Sequence, residues 1–189
     1  MRKRCALISP LLALVAVLGA APSEAGMRGH LSLGYARLFD VEDAPGGSLS
    51  VAGGLDFPIR GNFLIGGEVG FHLLGGRTLK DGSLVANLDY SLTELALLVH
   101  WEPTTLGPVG RLTIGPVLTS ARADLSSSGG GIAFSDLAVE DVAPGFAVAV
   151  TLMQKKAAPV RAGVELGART SYVPDDTWVV ATARLAIHY

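Results

Sequence analysis

The feature that most constrains this chain is the pattern over residues 160–189. Val160, Ala162, Val164, Leu166 and Ala168 alternate with Arg161, Gly163, Glu165, Gly167 and Arg169. Successive side chains of a strand point to opposite faces. The run therefore reads as a strand with one apolar face and one face of glycines and charges. Val173-Pro174-Asp175-Asp176 is a cluster of turn-forming residues. From Trp178 the alternation resumes. Val179, Ala181, Ala183, Leu185, Ile187 and Tyr189 share one face, and Trp178, Val180, Thr182, Arg184, Ala186 and His188 the other. The second run reaches the last residue, which is aromatic. An unbroken apolar face needs either lipid or a second layer of protein against it.

The same period recurs upstream. In 30–38, Leu31, Leu33 and Tyr35 oppose Ser32, Gly34 and Ala36; in 48–57, Leu49, Val51, Leu55 and Phe57 oppose Ser50, Ala52, Gly54 and Asp56. In 63–74, Phe63, Ile65, Val69, Phe71 and Leu73 oppose Gly66, Glu68, Gly70 and His72. The run 86–101 changes phase. Leu95, Leu97, Val99 and Trp101 oppose Glu94 and His100, but above them the apolar residues are Leu88, Tyr90 and Leu92. A bulge near 92–94 would reconcile the halves; otherwise the upper half lies beyond the membrane. In 111–124, Leu112, Ile114 and Leu118 oppose Arg111, Thr113, Gly115, Val117 and Thr119, with Pro116 as a weak point in the ladder. In 142–153, Phe146, Val148, Val150 and Leu152 oppose Gly145, Ala147, Ala149 and Thr151.

These runs add up to eight strands and no convincing helix. Short connections at 58–62, 103–110 and 154–158 alternate with mostly longer ones beginning at Asp40, Gly75, Leu125 and Tyr172. Outer-membrane barrels sort their connections this way, with short periplasmic turns and longer extracellular loops. A soluble sandwich shares the period of two but has no reason to sort its loops by length. Phe57, Phe63, Trp101 and Tyr189 fall near one end of the strands, and Tyr35, Phe71, Tyr172 and Trp178 near the other. Aromatic girdles at both interfaces have this placement.

The C-terminal pattern resembles the assembly signal of bacterial outer-membrane β-barrels, with Tyr189, Ile187, Leu185 and Ala183 in its positions. The whole pattern resembles the small barrels of the OmpA transmembrane domain and OmpX type. The resemblance implies an all-β, eight-stranded, antiparallel up-and-down transmembrane β-barrel in the cell outer membrane. It also implies a belt of outer-membrane lipid and lipopolysaccharide, and handling by the barrel-assembly machinery during biogenesis.

The start of the chain fits that location. Arg2, Lys3 and Arg4 precede an apolar stretch over 6–18, and Ser23 and Ala25 are small residues at the −3 and −1 places of a cleavage site. This reads as a secretory signal peptide over 1–25, too short to span as a helix, leaving a single barrel domain over 26–189. Cys5, the single cysteine, would leave with the signal, so core and hydrogen bonds alone must hold the mature chain. With 15 Lys and Arg against 17 Asp and Glu, no basic excess suits nucleic acid. Apolar residues make up 49% of the chain, dispersed by alternation, which is what a lipid-facing barrel requires.

Eight strands enclose an interior that side chains just fill, so no wide channel is expected. Face parity places Glu68, Glu94, Glu165, Arg169 and Arg184 inside at mid-height. Asp56, His100, Arg111, Arg161 and His188 fall toward the periplasmic end. Buried charges must be paired or their desolvation costs several kcal/mol each. The expected lumen network is therefore Glu68, Glu94, Arg111, Arg161, Glu165, Arg169 and Arg184. Gly54, Gly66, Gly70, Gly115, Gly163 and Gly167 are expected to make room for it.

Catalysis is not expected. Along the chain His30 and Ser32 form the only close His/Ser pair, facing inward at the periplasmic end, and no serine stands near His72. The acid pairs Glu42/Asp43 and Asp175/Asp176 read as solubilising loop charges rather than a metal site, and no cofactor is expected. The function expected is structural or adhesion-like, exercised through extracellular loops, of which 126–141 is the largest, with the extracellular partner unspecified. A lipid A-modifying enzyme is one alternative. A soluble lipocalin-like periplasmic carrier, with apolar residues inside, is the other.

Overall fold

The computed structural model describes residues 26–39, 47–81, 84–128, 137–153, 160–173 and 176–189. The expected signal peptide, the acid pair Glu42/Asp43, and Asp175 of the pair Asp175/Asp176 lie outside them. Eight strands follow in order: β1 (Arg28–Phe39), β2 (Ser48–Arg60), β3 (Phe63–Asp81), β4 (Leu84–Trp101), β5 (Val109–Ser128), β6 (Leu137–Met153), β7 (Arg161–Val173) and β8 (Asp176–His188). Each pairs antiparallel with the next. β1 pairs with β8 from His30↔His188 to Phe39↔Val179 and closes the barrel.

The orientation follows from the period of two. Leu185 on β8 is 69% exposed and its neighbour Arg184 only 2%. The same contrast holds around the wall, where Leu33, Leu49, Val69, Leu95, Ile114, Val148 and Leu166 face outward. In water this surface would be costly at about 25 cal/mol per Å² of apolar area; against hydrocarbon it costs nothing. The molecule is a transmembrane barrel. Phe63 and Trp101 stack on the outer surface at the end of β3 and β4, their ring centroids 6.3 Å apart.

The last residue takes part in closure. Tyr189 N donates to Gly29 O at 3.0 Å, and Gly29 N donates to Tyr189 O at 2.8 Å. The Tyr189 ring lies over Gly29, where a Cβ would collide with it.

Several boundaries differ from the sequence expectations. β2 runs on through Pro58 to Arg60, and the turn is Gly61-Asn62 alone. β5 extends to Ser128 and β6 begins at Leu137, so much of the expected 126–141 loop is strand. The segment 75–83, read as a loop from Gly75-Gly76 and Asp81-Gly82, is largely strand as well. Gly75, at φ 81°, follows a bulge in which Leu74 is the extra residue between Leu73↔Ser91 and Gly75↔Tyr90. Only residues 82–83 and 174–175 separate β3 from β4 and β7 from β8. Length is thus sorted by strand: β3 to β6 have 19, 18, 20 and 17 residues, against 12 or 13 in β1, β2, β7 and β8. A spanning strand needs about 9–11 residues. The long four therefore rise past the others as a sheet, by roughly 20 Å at 3.3 Å per residue.

The phase change in β4 also resolves differently. β4 is continuous, and the bulge belongs to its neighbour β3. Leu92 has the parity of Glu94 and points inward. Together with Ala36, Leu38, Leu74 and Val180 it forms an apolar layer inside the barrel, with Tyr90, Ala121 and Trp178 packed on it. Trp178 belongs to this layer, not to an outer girdle. Pro116 sits within β5 where the β4–β5 register passes from Ala96↔Val117 to Val99↔Ile114, consistent with its missing N–H.

Leu95→Arg, on the outer face at mid-strand, should cost about 2–4 kcal/mol in a bilayer. Denaturant unfolding in lipid vesicles would read it. An unchanged midpoint would contradict a lipid-facing position.

Candidate functional site

The interior is where this chain concentrates its chemistry. Asp56, Glu68, Glu94, Glu165, Arg111, Arg169, Arg184 and all four histidines are buried. They come from seven of the eight strands, so closing the barrel is what assembles them.

Two groups result. At mid-height Arg169 reaches across from β7 and forks between two carboxylates. Its Nη1 donates to Glu94 Oε2 at 2.5 Å, and its Nη2 donates to Glu68 Oε1. Arg184 donates through Nε to Glu165 Oε1 at 3.0 Å, and its Nη2 lies 3.6 Å from Glu68. Glu165 and Arg184 are direct register partners on β7 and β8. Toward the end where β1 begins and β8 ends, Arg111 Nη1 donates to Asp56 Oδ2 at 2.6 Å and its Nη2 to Glu102 Oε1 at 2.9 Å. Arg161 and Arg28 also converge on Glu102, at 3.1 and 2.8 Å.

His30 joins the groups: its ring nitrogens lie 3.2 Å from Asp56 Oδ2 and 3.0 Å from Glu68 Oε2. His100 contacts Asp56 at 3.1 Å and Thr113 Oγ1 at 2.9 Å, and the His188 ring packs beside His30 with centroids 5.8 Å apart.

All seven residues expected in the network thus meet a charged partner inside or at the rim. Parity missed Glu102, although it lies two residues past His100 on the same face. Only three of the six glycines expected to make room border the charges. A Cβ on Gly70 would stand 3.2 Å from His72 Nε2 and 3.3 Å from Glu94 Oε2; Gly54 and Gly66 crowd His30 and Asp56 in the same way. Gly115, Gly163 and Gly167 instead lie against backbone or uncharged side chains. Ala96, Leu98, Val117 and Ala147 fill the remaining interior as a small apolar cluster.

One sequence expectation is corrected. A serine does stand beside His72: Ser50 Oγ is 2.9 Å from Nδ1, and Glu94 Oε2 is 3.0 Å from Nε2. The β2–β3 register pairs Ser50 with His72, a relation invisible in chain spacing. A serine, imidazole and carboxylate in a row can activate a nucleophile. Here all three are at most 1% exposed, and Glu94 is also held by Arg169. All three side chains are thus enclosed in the interior among the described residues. Among the described residues no group of three or more His, Cys, Asp or Glu is disposed to hold a metal ion.

Glu102 lies beyond the end of β4. Burial would raise its carboxyl, but the hydrogen bond and charge of Arg111, and those of Arg161, outweigh it and hold it below the ordinary range.

No family model matches the sequence, and no curated protein matches it. Solved structures do match the fold. Ail, the attachment invasion locus protein of Yersinia pestis, superimposes with a TM-score of 0.54 at 8% identity, covering 86% of this chain and 98% of Ail. The same protein in complex with the heparin analogue sucrose octasulfate gives 0.56 at 9% identity, covering 86% and 99%. Neisserial surface protein A gives 0.54 at 11% identity, covering 86% and 96%. The chain has the fold of the small outer-membrane β-barrels.

Two outcomes test the site. Arg184→Ala strands Glu165 without its guanidinium and should cost about 3–5 kcal/mol, while Arg184→Met with Glu165→Leu should recover most of it. Denaturant unfolding of both variants would show it; a single variant as stable as the parent would exclude a buried pair. Glu102, its folded pKa depressed, contributes stability that is complete above the ordinary glutamate value of about 4.3 and lost as pH falls through the folded value. Unfolding curves of Glu102→Gln should therefore lose less stability on acidification than the parent, and identical acid profiles would refute the role.

Proposed function

We propose that this protein resides in the bacterial outer membrane and acts at the cell surface through its extracellular part, carried on a barrel whose lumen is closed. The observation that carries this reading is the pair of stacked interior layers. The carboxylate–guanidinium network spans the interior at mid-height, and the apolar layer of Leu38, Leu74, Leu92 and Val180 lies inside toward the end where β1 finishes and β8 starts. A barrel so filled offers solutes no route. What remains for function is the surface outside the lipid: the sheet that β3 to β6 raise and the connections at that end. Polar residues such as Arg77, Thr78, Asn87, Arg122 and Glu140 stand on that sheet.

Attachment, the activity named for Ail, is the class of role that such a scaffold suits; the likeness to Ail carries the fold, and the role rests on this chain's own surface. We also infer that Ala183, Leu185, Ile187 and Tyr189 are what the assembly machinery reads, since all four point outward on the closing strand. Arg37, exposed on the outer side of β1 with its guanidinium 5.2 Å from the Phe39 ring centroid, suits the phosphate level of surrounding lipopolysaccharide. A soluble carrier would need the reverse sidedness.

Membrane fractionation, heat-modifiable gel mobility and planar-bilayer conductance together test the reading. The folded protein should extract only with detergent, shift on heating, and leave the bilayer sealed. A soluble periplasmic protein, or steady channel conductance from the folded barrel, would overturn it.

A further inference from the structure

Among the described residues the rising sheet has two sides on which no strand pairs. β2–β3 pairing reaches only Ser50↔His72, yet β3 continues to Asp81. β6 begins at Leu137, but its pairing with β7 begins at Gly145↔Ser171. Among the described residues no strand pairs with β3 beyond His72 on that side, or with β6 before Gly145. An open strand edge presents backbone donors and acceptors to any chain that fits them. The β-bulge after Leu73 falls where the β3 edge opens.

We propose that copies of this protein join edge to edge, the upper β3 of one pairing with the upper β6 of the next. The proposal rests on the reading above, that the barrels stand side by side in one membrane. Two independent facts select this pairing. The first is direction. β3 runs away from the end where β1 begins, and β6 runs back toward it. Barrels in one membrane are related by rotation about its normal, which keeps rising strands rising. β3 against the neighbour's β6 is therefore antiparallel, whereas β3 against β3 or β6 against β6 is parallel and less stable.

The second is charge. The β3 edge carries the exposed Arg77 and Lys80 and ends in Asp81; the β6 edge carries the exposed Glu140 and Asp141, which accept from Ser120 Oγ and Val142 N at 2.8 Å each. Opposite charges facing each other across strands are favourable and like charges are not. Unlike edges attract, and two β6 edges repel. The contact is heterologous, so repetition gives a closed ring or an open row of barrels. The partner is a second copy of this chain.

Cysteine cross-linking of the full chain in isolated outer membranes tests this. Thr78→Cys and Val142→Cys in one chain should give a ladder of disulfide-linked species on mild oxidation. Co-expressed as separate chains they should give dimers only, and each alone should give monomers. Arg77→Glu with Lys80→Glu should reduce the ladder roughly tenfold or more, since two favourable pairs become repulsive, and adding Glu140→Lys with Asp141→Lys should restore it. Heat-modifiable mobility establishes that each variant is a folded membrane barrel. Folded barrels that give no ladder, a ladder indifferent to charge reversal, or dimers from Thr78→Cys alone would each overturn the proposal. Loss of the heat shift or of membrane location in the parent would instead overturn the membrane reading beneath it.

Discussion

The structure depends on guanidinium groups held between carboxylates where no bulk water reaches. Arg169, forked between Glu68 and Glu94, is the central case. A lone charge in such a place is strongly destabilising, whereas a paired and hydrogen-bonded one is tolerated. That asymmetry fixes which way each strand faces. Glu165 and Arg184 meet only if β7 and β8 both turn their charged faces inward, and doing so delivers Val164, Leu166, Leu185 and Ile187 to the outside. The apolar exterior and the charged interior are one constraint seen from two sides, because a one-residue slip of register would reverse both. Paired charges of this kind also favour a single register and a single closure, since Arg169 and Arg184 each find carboxylates on two other strands.

Above the network the chain changes material. Leu38, Leu74, Leu92 and Val180 replace charges with an apolar layer inside the wall. Beyond it four strands continue without the other four. Among the described residues the unequal strand lengths make the outer end of the barrel one-sided. A one-sided sheet has edges, which a closed barrel does not. The proposed role at the surface and the proposed association between copies both rest on that asymmetry rather than on the barrel itself.

Much of this was legible in the sequence. The period of two in residues 160–189 gave both faces of β7 and β8, and carrying its parity to 68, 94, 111 and 169 located the network. Three things were not legible, each for a physical reason. Gly75-Gly76 and Asp81-Gly82 carry the chemistry of turns, but pairing with β4 holds residues 75–81 in a strand that local propensity alone would not form. Leu88, Tyr90 and Leu92 looked out of phase because apolar residues were assigned to lipid; in the upper interior, apolar side chains belong inside. Ser50 and His72 are separated by 22 positions, and only register brings them to 2.9 Å. Partner choice across strands is set by turn geometry, which single-sequence spacing does not encode.

The central claim is the sidedness of the wall, and nitroxide scanning along β8 in lipid vesicles measures it most directly. Labels at Ala181, Ala183 and Leu185 should be readily relaxed by oxygen dissolved in the bilayer. Labels at Val180, Thr182 and Ala186 should be shielded both from oxygen and from a water-soluble reagent, a period of two along the strand. Uniform oxygen accessibility, or the opposite phase with 180, 182 and 186 exposed to lipid, would contradict a barrel organised around buried ion pairs.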